Sequence, residues 1–156
     1  MNIETVDAKS GPILYVTRSA SMAPEAISGV MGEAFGTMGA FVGRAGIAPA
    51  GPPLAIYRDW DERTGRMKID IAFPVGREDA AKAEGEVKAG HSPSGKALRV
   101  VHCGPYDKLR DTYGEIMAHM KKAALPMPPM SWEVYVGDPE TTPPDDLVTE
   151  IYMPVP

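Results

Sequence analysis

The chain has 156 residues, a net charge of −5 and one cysteine, Cys103. That length suits one domain burying about two thirds of its unfolded surface, a single cysteine excludes an internal disulfide, and no stretch reads as a secretory leader or a membrane span. A soluble cytoplasmic protein is therefore expected. All 16 Lys and Arg fall in residues 1–125, while residues 126–156 hold six acids and no base, so no basic stripe points to nucleic acid.

The first strand-like run is Ile13 to Arg18, rich in β-branched and aromatic residues. A helix follows, opening at Ser21 with Pro24 in its first turn and running Ile27, Val30, Met31, Ala34, Phe35, Met38 and Phe41 along one face. Two strands, Leu54 to Trp60 and Lys68 to Phe73, flank the hairpin turn "DERTG" at Asp61 to Gly65. "REDAAKAEGEV" at Arg77 to Val87 reads as a short surface helix in the connection between halves. The pattern then repeats. A strand at Lys96 to Cys103 leads into a second helix of about five turns, with Pro105 at its first position and Tyr106, Leu109, Tyr113, Ile116, Met117, Met120 and Ala124 on its apolar face. "LPMPP" stops that helix, and the strands Trp132 to Val136 and Leu147 to Met153 close the chain around the turn "GDPETTPPDD" at Gly137 to Asp146.

The order is β-α-β-β twice over, with pseudo-repeats at about 10–76 and 94–156. Pro24 matches Pro105, "PPL" at Pro52 matches "PPM" at Pro128, and "IAFPV" at Ile71 matches "IYMPV" at Ile151, which is the signature of a tandem duplication. On that alignment Asp70 stands where Glu150 stands in the second half. The expected fold is α+β: one antiparallel sheet with both long helices on one face, flanking a groove over the central strands. Glu150 raises a question of its own, because a carboxylate in an apolar strand needs a partner to offset its lost hydration. By strand alternation it shares a face with Val148 and Tyr152, opposite Ile151 and Met153.

This order, with "VVHCGPYDKLRDTYGEIM" and "WEVYVGDP…DDLVTEIYMPV", resembles the GyrI-like small-molecule-binding family, which includes gyrase-inhibitor-like proteins and effector domains of AraC-type and MerR-type activators. The resemblance rests most on His102, Gly104, Pro105 and Tyr106, on Glu133 and Tyr135, and on Thr149, Glu150, Ile151, Pro154 and Val155. It implies an effector-binding domain of multidrug type, holding an aromatic, lipophilic or cationic ligand in the inter-helix groove over Glu150, for sensing or sequestration; the family's regulators attach a DNA-binding domain to this module, and with the first strand beginning within about a dozen residues of Met1 a stand-alone form is expected here. Trp132, Tyr57, Tyr106, Tyr113, Phe35, Met38 and Asp70 would complete that site, and no cofactor is implied. Two alternatives accompany it: a hydrolase of reactive ring compounds with Glu150 as general base on a water and Tyr57 or Trp132 orienting the ligand, and a protein-binding inhibitor of a topoisomerase. A separate regulator protein and a homodimer are conceivable partners.

The remaining residues of note carry simpler readings. Met31, Met38, Met117 and Met120 face inward and suit either core packing or an adaptable groove. His91, His102 and His119 form no metal or triad spacing. Cys103 reads as a small buried hydrophobe. Gly29, Gly32, Gly36 and Gly39 lie within about 80° on the first helix, opposite its apolar stripe, at 100° per residue; they face either water or a closely approaching chain.

Overall fold

The computed structural model describes residues 2–156. Its eight strands form one antiparallel sheet: β1 (Ile3–Ala8), β2 (Pro12–Ser21), β3 (Leu54–Asp61), β4 (Arg66–Pro74), β5 (Lys88–His91), β6 (Gly95–Cys103), β7 (Met130–Val136) and β8 (Val148–Pro154), in the order β1-β6-β8-β7-β3-β4-β2-β5. The unit β2, α1 (Pro24–Ala45), β3, β4 and the unit β6, α3 (Leu109–Lys122), β7, β8 sit symmetrically about the β3–β7 pair. Among the described residues no helix is long and apolar enough to cross a membrane.

Two short strands, β1 and β5, were not expected, and they change the shape of the sheet. β1 and β2 lie near opposite ends of the strand order yet are joined by Lys9–Gly11 alone. Flat, six strand spacings would separate them by about 29 Å, whereas the linker reaches at most about 14 Å. The sheet must therefore curl until its ends meet. The ladders show how: Ile3 faces Val100 on β6 and Pro12 faces His91 on β5, so nine residues forward on one strand is nine residues back on the other. β1–β2 and β5–β6 are thus one antiparallel ribbon, interrupted at Lys9–Gly11 and Ser92–Ser94, with Gly11 N–H donating to the Ser92 hydroxyl oxygen at 2.9 Å across the break.

Closure gives the sheet two buried faces. On the helical face, Leu14, Val16, Ala55, Ile69 and Ile71 pack with Ala34, Met38 and Phe41 of α1, and Leu98, Val100, Ile151 and Met153 pack with Ile116 and Met120 of α3. On the inner face, where strand alternation sends the intervening residues, Ile13, Leu54, Ile56, Ala72, Ala97 and Trp132 form a separate core. The ribbon covers this inner core, which an open sheet would leave wet.

The helices begin and end for local reasons. Pro24 supplies the fixed φ of a first helical position, and Gly46, at φ 68°, ends α1 while Ile47 N–H bonds the Val42 carbonyl at 2.9 Å. The second helix is shorter than expected: Tyr106–Lys108 forms a tight 3-10 turn, and the α-helix starts at Leu109. Of the expected helix at 77–87, Arg77–Ala80 alone is helical, as α2. Cys103 is exposed rather than buried, because it ends β6 opposite Val148 on the side away from α3.

The glycine stripe of α1 faces open space: a Cβ built at Gly29, Gly32, Gly36 or Gly39 meets nothing within 4 Å. Replacing Gly32 and Gly36 by alanine is expected to raise the melting temperature, by up to about 1 kcal/mol of stability per site, because alanine loses less backbone entropy on folding. A double variant with a lowered melt and a changed mass in light scattering would instead mean that another chain approaches this face.

Candidate functional site

Strand β7 carries the sequence Trp132-Glu133-Val134-Tyr135, and alternation divides it between the two faces. Trp132 and Val134 point into the inner core; Glu133 and Tyr135 point toward the helices. Glu133 is only 3% exposed. Three tyrosine hydroxyls donate to it: Tyr57 from β3 to Oε1 at 2.9 Å, Tyr135 to Oε1 at 2.5 Å, and Tyr113 from α3 to Oε2. The Tyr57 hydroxyl also lies 3.5 Å from Met31 Sδ of α1, so the cluster spans the space between the two long helices. Among the described residues no cation pairs with this carboxylate.

Above the carboxylate the walls are aromatic. Phe35 of α1 and Tyr106 meet the Tyr135 ring edge-on, with centroids 5.9 and 5.8 Å away, and Phe35 also leans on Phe73 at 6.3 Å. Tyr106 is 37% exposed and is the ring of this group that meets solvent. Its position is set from behind. His102 Nε2 lies 3.2 Å from the Pro105 carbonyl and Nδ1 lies 2.7 Å from Thr112 Oγ1. A carbonyl only accepts, so Nε2 carries the proton and the threonine hydroxyl donates to Nδ1. That pair ties the turn before α3 to the helix itself. Below, Thr149 Oγ1 on β8, opposite Tyr135 and His102, is buried without a partner among the described residues.

Burial first, then the neighbouring Glu133 charge, push the hydroxyls of Tyr57, Tyr113 and Tyr135 well above the ordinary tyrosine range. A folded pKa above the unfolded value of about 10 leaves these groups' contribution intact below pH 10 and removes it as the pH rises beyond. Phenolate absorbance is expected to show three tyrosines silent until the protein unfolds in alkali. Smooth titration of all six in the folded state near pH 10 would contradict the buried cluster.

The expected site residues are therefore divided. Tyr57, Tyr106, Tyr113 and Phe35 meet around Glu133. Met38 is fully buried in the core under α1. Glu150, Asp70 and Trp132 lie on the opposite face, so the expectation that Glu150 lies between the helices is corrected: the buried carboxylate on that face is Glu133. Glu150 finds its compensation in Arg99, which donates from Nη2 to Oε2 at 2.9 Å, and in Tyr152, whose hydroxyl donates to Oε1 at 2.9 Å. Asp70 is similarly held by Arg58, through Nε at 2.7 Å and Nη2 at 3.0 Å, and by the Thr17 hydroxyl at 2.6 Å. Trp132 stacks on Tyr152, centroids 5.0 Å apart and 4° from parallel. Glu133 was visible in the sequence as the acid of an E-x-Y pair, without a sign of which face it takes. Among the described residues no group of three or more His, Cys, Asp or Glu is placed to hold a metal.

A curled sheet with a buried carboxylate that, among the described residues, has no cationic partner and lies under aromatic side chains between two helices is the arrangement of a small-molecule-binding module. The chain belongs to the GyrI-like small molecule binding domain family, whose pattern it matches over residues 1–156. The crystal structure of the EcmrR C-terminal domain is similar at 19% identity and a TM-score of 0.80, over 99% of this chain and 97% of that one. EcmrR in its DNA complex, seen by cryo-EM, matches at 20% identity and a TM-score of 0.81, and there the chain spans 57% of EcmrR's length. SAV2435 bound to tetraphenylphosphonium matches at 19% identity and a TM-score of 0.72, over 100% of this chain and 94% of that one. These likenesses concern the fold. A search of curated protein sequences returns no match.

Proposed function

We infer that the protein binds a lipophilic aromatic cation in the inter-helix groove, with Glu133 as the countercharge. The observation that carries this reading is a carboxylate 3% exposed, surrounded by phenols, with no cation of its own among the described residues. Desolvating a carboxylate is costly, and tyrosine hydroxyls offset part of that cost without neutralising the charge. A bound cation would supply the neutralisation, and the faces of Tyr106, Tyr135 and Phe35 would add cation–π attraction. Apolar rings on the ligand would match the aromatic walls and the Met31 thioether, which adapts to varied shapes. The tetraphenylphosphonium on SAV2435 is a molecule of this chemistry.

In this reading Tyr106 is the movable wall, since the ligand needs space that its ring and that of Phe35 now fill. The module would serve sensing on behalf of a regulator, or sequestration of the ligand. Calorimetric titration with tetraphenylphosphonium tests the charge requirement, with triphenylphosphine oxide as a neutral analogue carrying similar rings. The cation is expected to bind at least tenfold more tightly. Equal affinity for both would remove Glu133 as the countercharge.

A further inference from the structure

We propose that the closed inner face holds a second binding site, for a small uncharged aromatic molecule, back to back with the Glu133 groove. A cavity of about 410 Å³ opens between the ribbon and the inner strands, within the range of small-molecule sites. Its floor is aromatic and aliphatic: Trp132, Tyr152, Leu54 and Val134 line it. Three prolines also line it: Pro52 from the α1–β3 connection, Pro74 at the end of β4 and Pro93 from the β5–β6 connection. Proline rings are rigid and short, so they wall the cavity without reaching in to fill it. The cavity lies beside the ribbon's break at Lys9–Gly11 and Ser92–Ser94, where the cross-strand pairing that closes the rest of the ribbon lapses.

The charges decide the ligand class. Lys9, Asp7 and Arg99 also border the cavity, but each is already answered. Lys9 Nζ lies 3.0 Å from Asp7 Oδ2, and Arg99 pairs with Glu4 at 2.6 Å and with Glu150 at 2.9 Å. The Tyr152 hydroxyl is likewise engaged, donating to Glu150 and facing Arg99 Nε at 3.3 Å. The Lys9–Asp7 pair is exposed and costs little to part, but a charged ligand would also compete with the less exposed Arg99–Glu150 pair, whereas a neutral ring system gains the aromatic floor without that competition. The contrast with the other face is direct: among the described residues Glu133 is buried without a cation, whereas here each charged group already has a partner of opposite sign. Adjacent residues of β7, Trp132 and Glu133, belong to the two sites, and strand alternation turns them to opposite faces, so the two sites fill independently.

The probe is N-phenyl-1-naphthylamine, neutral and fluorescent in apolar surroundings, titrated into the full chain. Three results are expected together: a saturable rise with wild type, the same affinity in Glu133→Gln and under saturating tetraphenylphosphonium, and at least a tenfold loss in Val134→Trp, whose indole fills the cavity. Thermal melts check that the variant folds; if it does not, Ala8→Trp at the ribbon end takes its place. No saturable rise, displacement by tetraphenylphosphonium, loss in Glu133→Gln, or normal binding by a folded cavity-filling variant would each overturn the proposal. The wild-type and cavity-variant arms stand whether or not the cation binds, so failure of the groove reading is told apart from failure of this one.

Discussion

Glu133→Gln is expected to weaken tetraphenylphosphonium binding by about 10- to 150-fold, the 1.5–3 kcal/mol typical of a bond to a charged group. The substitution keeps shape and leaves an amide oxygen for the hydroxyls of Tyr57 and Tyr135, which now share Oε1. Tyr113, which donates to Oε2, would face an amide nitrogen and must turn its hydroxyl round to accept. Folding should therefore survive, because a buried charge without a cationic partner is removed along with its cost. Isothermal titration and a thermal melt on the same protein separate the two effects. Retained affinity would place the cation elsewhere. Glu150→Gln serves as the comparison: its carboxylate is already paired with Arg99 on the other face, so cation binding is expected within twofold of wild type.

Trp132→Ala is expected to cost about 3–5 kcal/mol of stability, the range for truncating a buried tryptophan. Trp132 is 4% exposed, sits among Leu54, Ile56 and Ala72, and stacks on Tyr152. Removing it empties the middle of the inner core and loses the stacking contact as well. Chemical denaturation is the measurement. A loss below about 1 kcal/mol would show that the inner face is not closed by the ribbon and that the indole already meets water.

The contrast between these two residues shows how far sequence reading reaches. Helices and six strands were legible because periodicity reports burial: the Ile27–Phe41 stripe and the Ile116–Met120 stripe admit one reading each. The phase of β7 was not legible. Both of its faces carry large side chains, Trp132 and Val134 on one and Glu133 and Tyr135 on the other, and both are buried. An open sheet with a single covered face makes Trp132 a groove residue; a closed sheet makes it core.

Closure itself depends on β1 and β5, and their sequences hide them. β1 carries Glu4 and Asp7 within six residues, and β5 is Lys-Ala-Gly-His, with no β-branched residue. They are strands because the ribbon register continues into them from β2 and β6, a tertiary cause with no local signal. Glu150 illustrates the same limit. The need for a partner was evident from its apolar strand, but Arg99 lies 51 residues away in the chain and is brought alongside by the β6–β8 ladder. Tyr57, Tyr106, Tyr113 and Phe35, which gather around Glu133 and Tyr135, could be read from the sequence as neighbours; the carboxylate beneath them required the fold.

The most direct test of the account is where the cation sits. A crystal of the protein with tetraphenylarsonium, matched in shape to the phosphonium, allows the arsenic to be located by its anomalous signal. The expected result is a single strong peak between α1 and α3, within about 6 Å of the Glu133 carboxylate, at cation–π range of the surrounding rings. A peak beside Glu150 on the opposite face, with the Glu133 cluster unchanged, would contradict the account.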